Sequence, residues 1–302
     1  MNKSFSRLAL VSVATLAVGS PALADHQWGT YHWSKGSGDL KIPVGDNVTS
    51  VWDSYLEVAV GNKKGTGTAL GPDAGTALSW NDTNGIKSPL VDGATSARRC
   101  KAAAGRIEVC NLKYGNNGWL GVAGISISGG HITSGYTKLN DTYFNTTKYD
   151  TPAWRRLVMC QEIGHDYGLG HTDEAFGNYN DGTCMDYTNA PAGGTVGGFN
   201  YGPSNEYPNA HDYEMLESSA MYGSTHPHTG SATNFAVREV GKADPPAASD
   251  LGIEGGNSMA DWGRAVDYDG EGRPHIFEKT EGGRKIITHV FWVPGFRPHG
   301  SH

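Results

Sequence analysis

Four cysteines in 302 residues, with no C-x-x-C pair among them, leave no material for a cysteine zinc site or a dithiol redox motif. Charge is equally sparse. Asp, Glu, Lys and Arg together make up 18% of the chain, 24 bases stand against 31 acids, and no basic run interrupts the balance of −7. Such a surface excludes non-specific binding to nucleic acid or to an anionic membrane. Beyond residue 24 no apolar run reaches the 18 residues that a membrane-spanning helix needs. Two other signatures are missing: the G-x-S-x-G elbow of a serine hydrolase and a glycine-rich strand–loop–helix for phosphates. Hydrophobics at 37%, with 8 Trp and 14 Tyr, nevertheless exclude a disordered chain. Glycine is in excess, 43 residues without a collagen period, which indicates many turns and irregular loops.

The first 24 residues read as a signal peptide. Lys3 and Arg7 form a positive region, Leu8–Val18 an apolar one, and Ala22-Leu23-Ala24 an A-x-A cleavage signal. The remaining chain is expected to be secreted, extracellular or periplasmic, with no membrane association after cleavage. In an oxidising compartment Cys100, Cys110, Cys160 and Cys184 should form two disulfides. Three pairings are available, and the local one, Cys100–Cys110 with Cys160–Cys184, closes the shorter loops and is favoured.

Along the chain, residues 28–33 alternate bulky and small side chains as an early strand does. Residues 46–50 supply capping types ahead of a helical stripe through Val51, Trp52, Tyr55, Leu56 and Ala59. Loop with one strand is expected over 61–93, then a strand over 106–111. Residues 119–128 and 131–139 flank Gly129-Gly130 and read as a hairpin. Thr151-Pro152 opens a helix, with Thr as cap and Pro at the first helical position. An irregular segment follows over 168–202, and another helix over 210–222. Residues 223–250 look like a linker, and the tail holds two strand-like runs, 273–280 and 284–293. The expected division is therefore a signal peptide (1–24), a main domain (25–222), the linker, and a small β-hairpin extension (251–302).

The helix at Pro152 carries the chemistry. Trp154, Leu157, Val158, Gln161, Glu162 and His165 fall on one face. Its first half is apolar and must point inward, so an amide, a carboxylate and an imidazole are carried inward with it. Unpartnered, each would cost a few kcal/mol, about 1–3 by mutational measure. A metal ion satisfies them. Gln161 and His165 lie one turn apart and reach the same ion, and Glu162 stands beside it. Gly168 can end the helix in a left-handed residue and turn His171 back toward the ion. Two imidazoles and a third donor then make a tripod with one open position.

Gln161-Glu-Ile-Gly-His165-Asp-Tyr-Gly168-Leu-Gly-His171 resembles the metzincin signature H-E-x-x-H-x-x-G-x-x-H, with Gln161 in place of the first histidine. Cys184-Met185-Asp186-Tyr187 resembles the Met-turn of that clan. The resemblance is motif-specific over 151–187, architectural over the rest of 28–222, and nearest to secreted matrixin- and reprolysin-like peptidases. It implies an α+β fold: a twisted mixed sheet, a long early helix, an active-site helix, a Met-turn and a C-terminal helix, with the β-rich tail added. It also implies Zn2+ held by Gln161, His165 and His171, Glu162 as general base, Met185 packed under the metal, and Tyr187 near or on it. An amide oxygen is a weaker zinc ligand than imidazole. A Cys160–Cys184 bridge, tying the helix to the Met-turn, would compensate by preorganising the pocket.

The implied function is a secreted zinc metalloendopeptidase acting on polypeptide substrates, which would lie extended along an edge supplied by 119–139. The alternatives are a pseudoprotease that binds a partner protein, and a surface- or carbohydrate-binding protein using exposed aromatics and the tail hairpin. No spacing supports His131, His211, His226 or His228 as further ligands, and no loop pattern supports calcium at Asp173, Asp181 or Asp186.

Overall fold

The computed structural model describes residues 26–29, 31–34, 40–65, 79–82, 86–217 and 254–298. The expected signal peptide and linker, with His226 and His228, lie outside the described residues. Among the described residues no helix is long and apolar enough to cross a membrane.

The described residues form a mixed α+β structure with a large twisted mixed sheet and few helices. In chain order the elements are β1 (His32–Trp33), β2 (Val44–Asn47), α1 (Asp53–Val60), β3 (Leu90–Asp92), β4 (Ile107–Leu112), β5 (Trp119–Ser128), β6 (His131–Asn140), α2 (Asp141–Phe144) and α3 (Pro152–Tyr167). There follow β7 (Thr195–Val196), β8 (Phe199–Asn200), α4 (Ala210–Glu217), α5 (Met259–Trp262), β9 (Arg264–Tyr268), β10 (Pro274–Glu281) and β11 (Arg284–Trp292). The main sheet runs β3-β2-β4-β6-β5-β11-β10-β9, with β1 paired to β6 beyond the end of β4. From β3 to β6 the strands are parallel; from β6 through β5, β11 and β10 to β9 they are antiparallel.

Local signals account for most elements. Gly129 and Gly130 both take positive φ (58° and 84°), the conformation a two-residue hairpin turn requires, and join β5 to β6. Thr151 accepts a hydrogen bond from the Trp154 amide and caps α3, which ends at Gly168 (φ 106°). Both expected disulfides, Cys100–Cys110 and Cys160–Cys184, are present.

Four expectations are corrected. The early helix is short, not long: α1 has 8 residues, because Gly61 closes it in a left-handed conformation (φ 74°). No side chain caps its start either, since the cap position falls on Trp52, whose indole has no oxygen to accept from the helix amides. The tail is not a separate extension. β11 pairs with β5 from Lys285–Ile127 to Trp292–Trp119, so β9–β11 continue the central sheet. The physical reason is burial: β5 is buried from Trp119 to Ile127 and needs a partner on the edge that β6 leaves open. On one face Ile276, Ile287 and Phe291 join the core formed with α1 and α3. On the other, Phe277, Val290 and Trp292 pack with Trp119, Val122 and Trp262. By the same pairing, 119–139 offers no free edge, and both its strands are interior.

Candidate metal centre

Helix α3 runs beneath β5 and is buried from Leu157 to Tyr167. The two approach so closely that a Cβ on Gly121 of β5 would strike Glu162 Oε1, and would stand 2.6 Å from Val158 Cγ1. After Gly168 the chain reverses and brings the His171 ring to 4.6 Å from that of His165, nearly perpendicular to it. The segment from Cys184 to Tyr187 is held against this reversal. Thr172 donates to Met185 O (2.9 Å) and Tyr187 N to Asp173 O (3.1 Å). Met185 lies under α3 at Gly164, where an added Cβ would come within 2.5 Å of its sulfur. The Cys160–Cys184 bridge joins helix and turn covalently.

The polar side chains of α3 and of the turn after it have few hydrogen bonds of their own. Gln161 Nε2 donates to Cys184 O (2.7 Å), which fixes the amide, while its Oε1 is buried without a partner. Both Glu162 oxygens are buried and unpartnered. His165 Nδ1 lies 2.8 Å from Leu169 O; a carbonyl only accepts, so Nδ1 carries the proton and Nε2 keeps the lone pair. Neither nitrogen of His171 has a hydrogen-bond partner. The Tyr187 hydroxyl stands 3.3 Å from His275 Nδ1 and 3.4 Å from Val290 O.

Sequence reasoning missed two imidazoles that β10 and β11 bring to this place. The His289 ring stacks on His165 at 4.1 Å and 13°, and both its nitrogens are unpartnered. The His275 ring lies 5.1 Å from His171. A signal for His289 existed: it alternates with Ile287 and Phe291 on a stripe that is otherwise apolar, a buried polar residue of the same kind as those on α3. His131 and His211 lie elsewhere, against His32 and His26 respectively.

Burial governs the electrostatics. It pushes His171 and His275 down to about 3 and holds His165 and His289 well below the usual imidazole range, with the neighbouring rings adding to the effect. All four are therefore neutral, the form that ligates metals. Burial likewise raises Glu162 well above the ordinary carboxyl range, with Asp166 adding to it, and keeps the Tyr187 hydroxyl protonated. Neutral imidazoles and an unpartnered amide oxygen, with the Glu162 carboxyl beside them, are a set of side chains that fits Zn2+. No protein-family model and no curated protein matches the chain.

Proposed function

We propose that the chain is an exported zinc-dependent endopeptidase of metzincin type. One observation carries this reading: Gln161 Oε1, both Glu162 oxygens and both His171 nitrogens are buried without partners around His165, on a helix and turn otherwise packed to interior quality. Interiors do not retain that many unsatisfied polar atoms without a use for them.

Gln161, His165 and His171 would hold the ion. When bound, zinc supplies a Lewis acid that brings a water's pKa toward neutrality and polarises a peptide carbonyl. Glu162 receives the proton of the attacking water on an oxygen that no protein group occupies, and passes it to the departing amine. Tyr187 keeps its hydroxyl proton and has it available for the carbonyl oxygen. Gly121 keeps β5 close over Glu162 and so keeps solvent off the carboxylate. Antiparallel pairing with β5 is the natural mode for an extended peptide, and β11 holds that edge in this structure. Hydrolysis of a protein substrate requires β11 to leave it.

The occupied edge favours a second reading, an inactive protein of the same fold that binds a partner. Elemental analysis and a casein assay separate the two. The peptidase contains about one zinc per chain and degrades casein, and both a chelator and Glu162→Gln stop it. A chain that takes up no added zinc and cleaves nothing overturns the proposal.

A further inference from the structure

We propose that His171, Glu174 and His275 form a cation site, for zinc or a similar first-row divalent ion, that fastens the C-terminal hairpin to the turn following α3. It rests on the reading above only in sharing His171. The donor atoms of the three side chains all lie within 4.8 Å of one another. Glu174 Oε1 stands 3.5 Å from His171 Nδ1 and 3.5 Å from His275 Nε2. Those separations are too long for hydrogen bonds. They match the roughly 3.4 Å that separates two donors each about 2.05 Å from a tetrahedral ion.

Independent observations point the same way. His275 is fully buried, and its Nε2 has no hydrogen-bond partner. Its other nitrogen faces the Tyr187 hydroxyl, which directs Nε2 at Glu174. The residue is held on both sides. Arg273 binds Asp269 through its Nε (2.7 Å) and Val293 O through Nη1 (3.0 Å), and Pro274 O accepts from Trp292 Nε1 (2.8 Å). The β9–β10 register slips between Pro274 and Ile276, at His275 itself. Such slips re-aim a side chain beside functional sites. On the other side, the Asp269–Gly272 turn leaves no room at Gly270, where a Cβ would stand 2.9 Å from Glu174 O. Two imidazoles and one carboxylate suit zinc and its neighbours in the first row.

A neutral imidazole has one lone pair, so His171 serves one ion at a time. The α3 position and the hairpin position are therefore alternatives for a single cation. With the hairpin docked, the ion is held by His171, Glu174 and His275, away from Glu162.

The test uses the full chain, freed of metal by a chelator and titrated with Zn2+ against a chromophoric competitor. Glu174→Ala, His275→Phe and His165→Phe are compared with the parent. Glu174 is 31% exposed, so its truncation spares the core. A lost ligand costs more than the 10–100-fold of an outer-sphere partner, so Glu174→Ala and His275→Phe should each raise Kd by about 100-fold or more. His165→Phe should leave Kd within a few-fold. As a second readout, zinc should raise the Tm of the parent and of His165→Phe but not that of Glu174→Ala. If Glu174→Ala and His275→Phe bind zinc like the parent while His165→Phe does not, the hairpin site is overturned and the α3 centre stands. If the parent binds no zinc, both fail.

Discussion

Replacing Glu162 by methionine should abolish peptide hydrolysis and at the same time stabilise the metal-free chain. The carboxyl is fully buried, and neither oxygen has a hydrogen-bond partner. An unpartnered buried polar group costs roughly 1–3 kcal/mol, and buried ionic groups replaced by apolar ones of similar volume have yielded about 1–4 kcal/mol. Methionine has nearly the same length and adapts its rotamer to irregular space. That adaptability matters beneath Gly121, where β5 leaves no slack. Crowding against Val158 will take back part of the gain. A net of about 1–2 kcal/mol corresponds to a rise in Tm of roughly 2–8 °C for a chain of this size. Calorimetry on chelator-dialysed protein measures it, with a casein assay on the zinc-loaded form alongside. Because the carboxyl does not hold the ion in either proposed arrangement, the variant should keep the parent's zinc-induced rise in Tm. A drop of several degrees in the metal-free variant would mean that Glu162 has a structural partner, and the argument from orphaned oxygens would be wrong.

Further outcomes follow from other contacts. Opening the Cys160–Cys184 bridge with paired serines removes a link across 24 residues, worth roughly 3–4 kcal/mol by loop-closure entropy; urea unfolding should show that loss, and an unchanged midpoint would mean that α3 and the segment around Met185 hold each other without it. Gly164→Ala should destabilise despite alanine's better helix propensity, because the new Cβ would lie 2.5 Å from Met185 Sδ and 2.7 Å from Trp80 Cζ2. Overpacking of that kind costs about 1–3 kcal/mol against a gain near 1, so an increase in urea midpoint would contradict the packing described. Lys138 is buried among the carbonyls of Gly255 and Gly256 and the Asn257 side chain, and burial lowers its ammonium to about 8. Between pH 8 and 10.5 the unfolded chain keeps a proton there that the folded chain has released, so stability should rise across that window, by roughly 3 kcal/mol at most. Lys138→Met should flatten the slope, measurable by unfolding at pH 8 and pH 10; an equal slope in both proteins would place the titration elsewhere.

What the sequence made legible was local. The α3 cap, its glycine stop and the reversal to His171 depend on residues within 20 positions of one another, and each has a backbone reason that survives any tertiary setting. The Gly129-Gly130 hairpin and the two short-loop disulfides are of the same kind. The tail was legible as strands but not as part of the sheet. Nothing in residues 284–292 specifies β5 as partner until β5 is known to be buried on both faces with one edge unpaired. Pairing across more than 150 residues is decided by the whole fold, whereas periodicity reports only on the segment that bears it.

That difference also explains why half of the histidine cluster was overlooked. Gln161, Glu162 and His165 stand out because three polar residues interrupt one apolar helical face. On β11 a single histidine interrupts the stripe of Ile287 and Phe291, and one interruption is weak evidence in a strand of nine residues. His275 gives less still, since it sits where the β9–β10 register slips and no alternation applies. Yet the physics is the same at all five positions: a polar group carried into an interior must find a partner there. Here the partners of the tail's imidazoles are the rings of His165 and His171 and the carboxylate of Glu174. These groups satisfy one another poorly: both nitrogens of His171 and of His289, and Nε2 of His275, have no hydrogen-bond partner. Under the cation site proposed above, the hairpin's docking and the chemistry of the cluster become one problem, because His171 belongs to both.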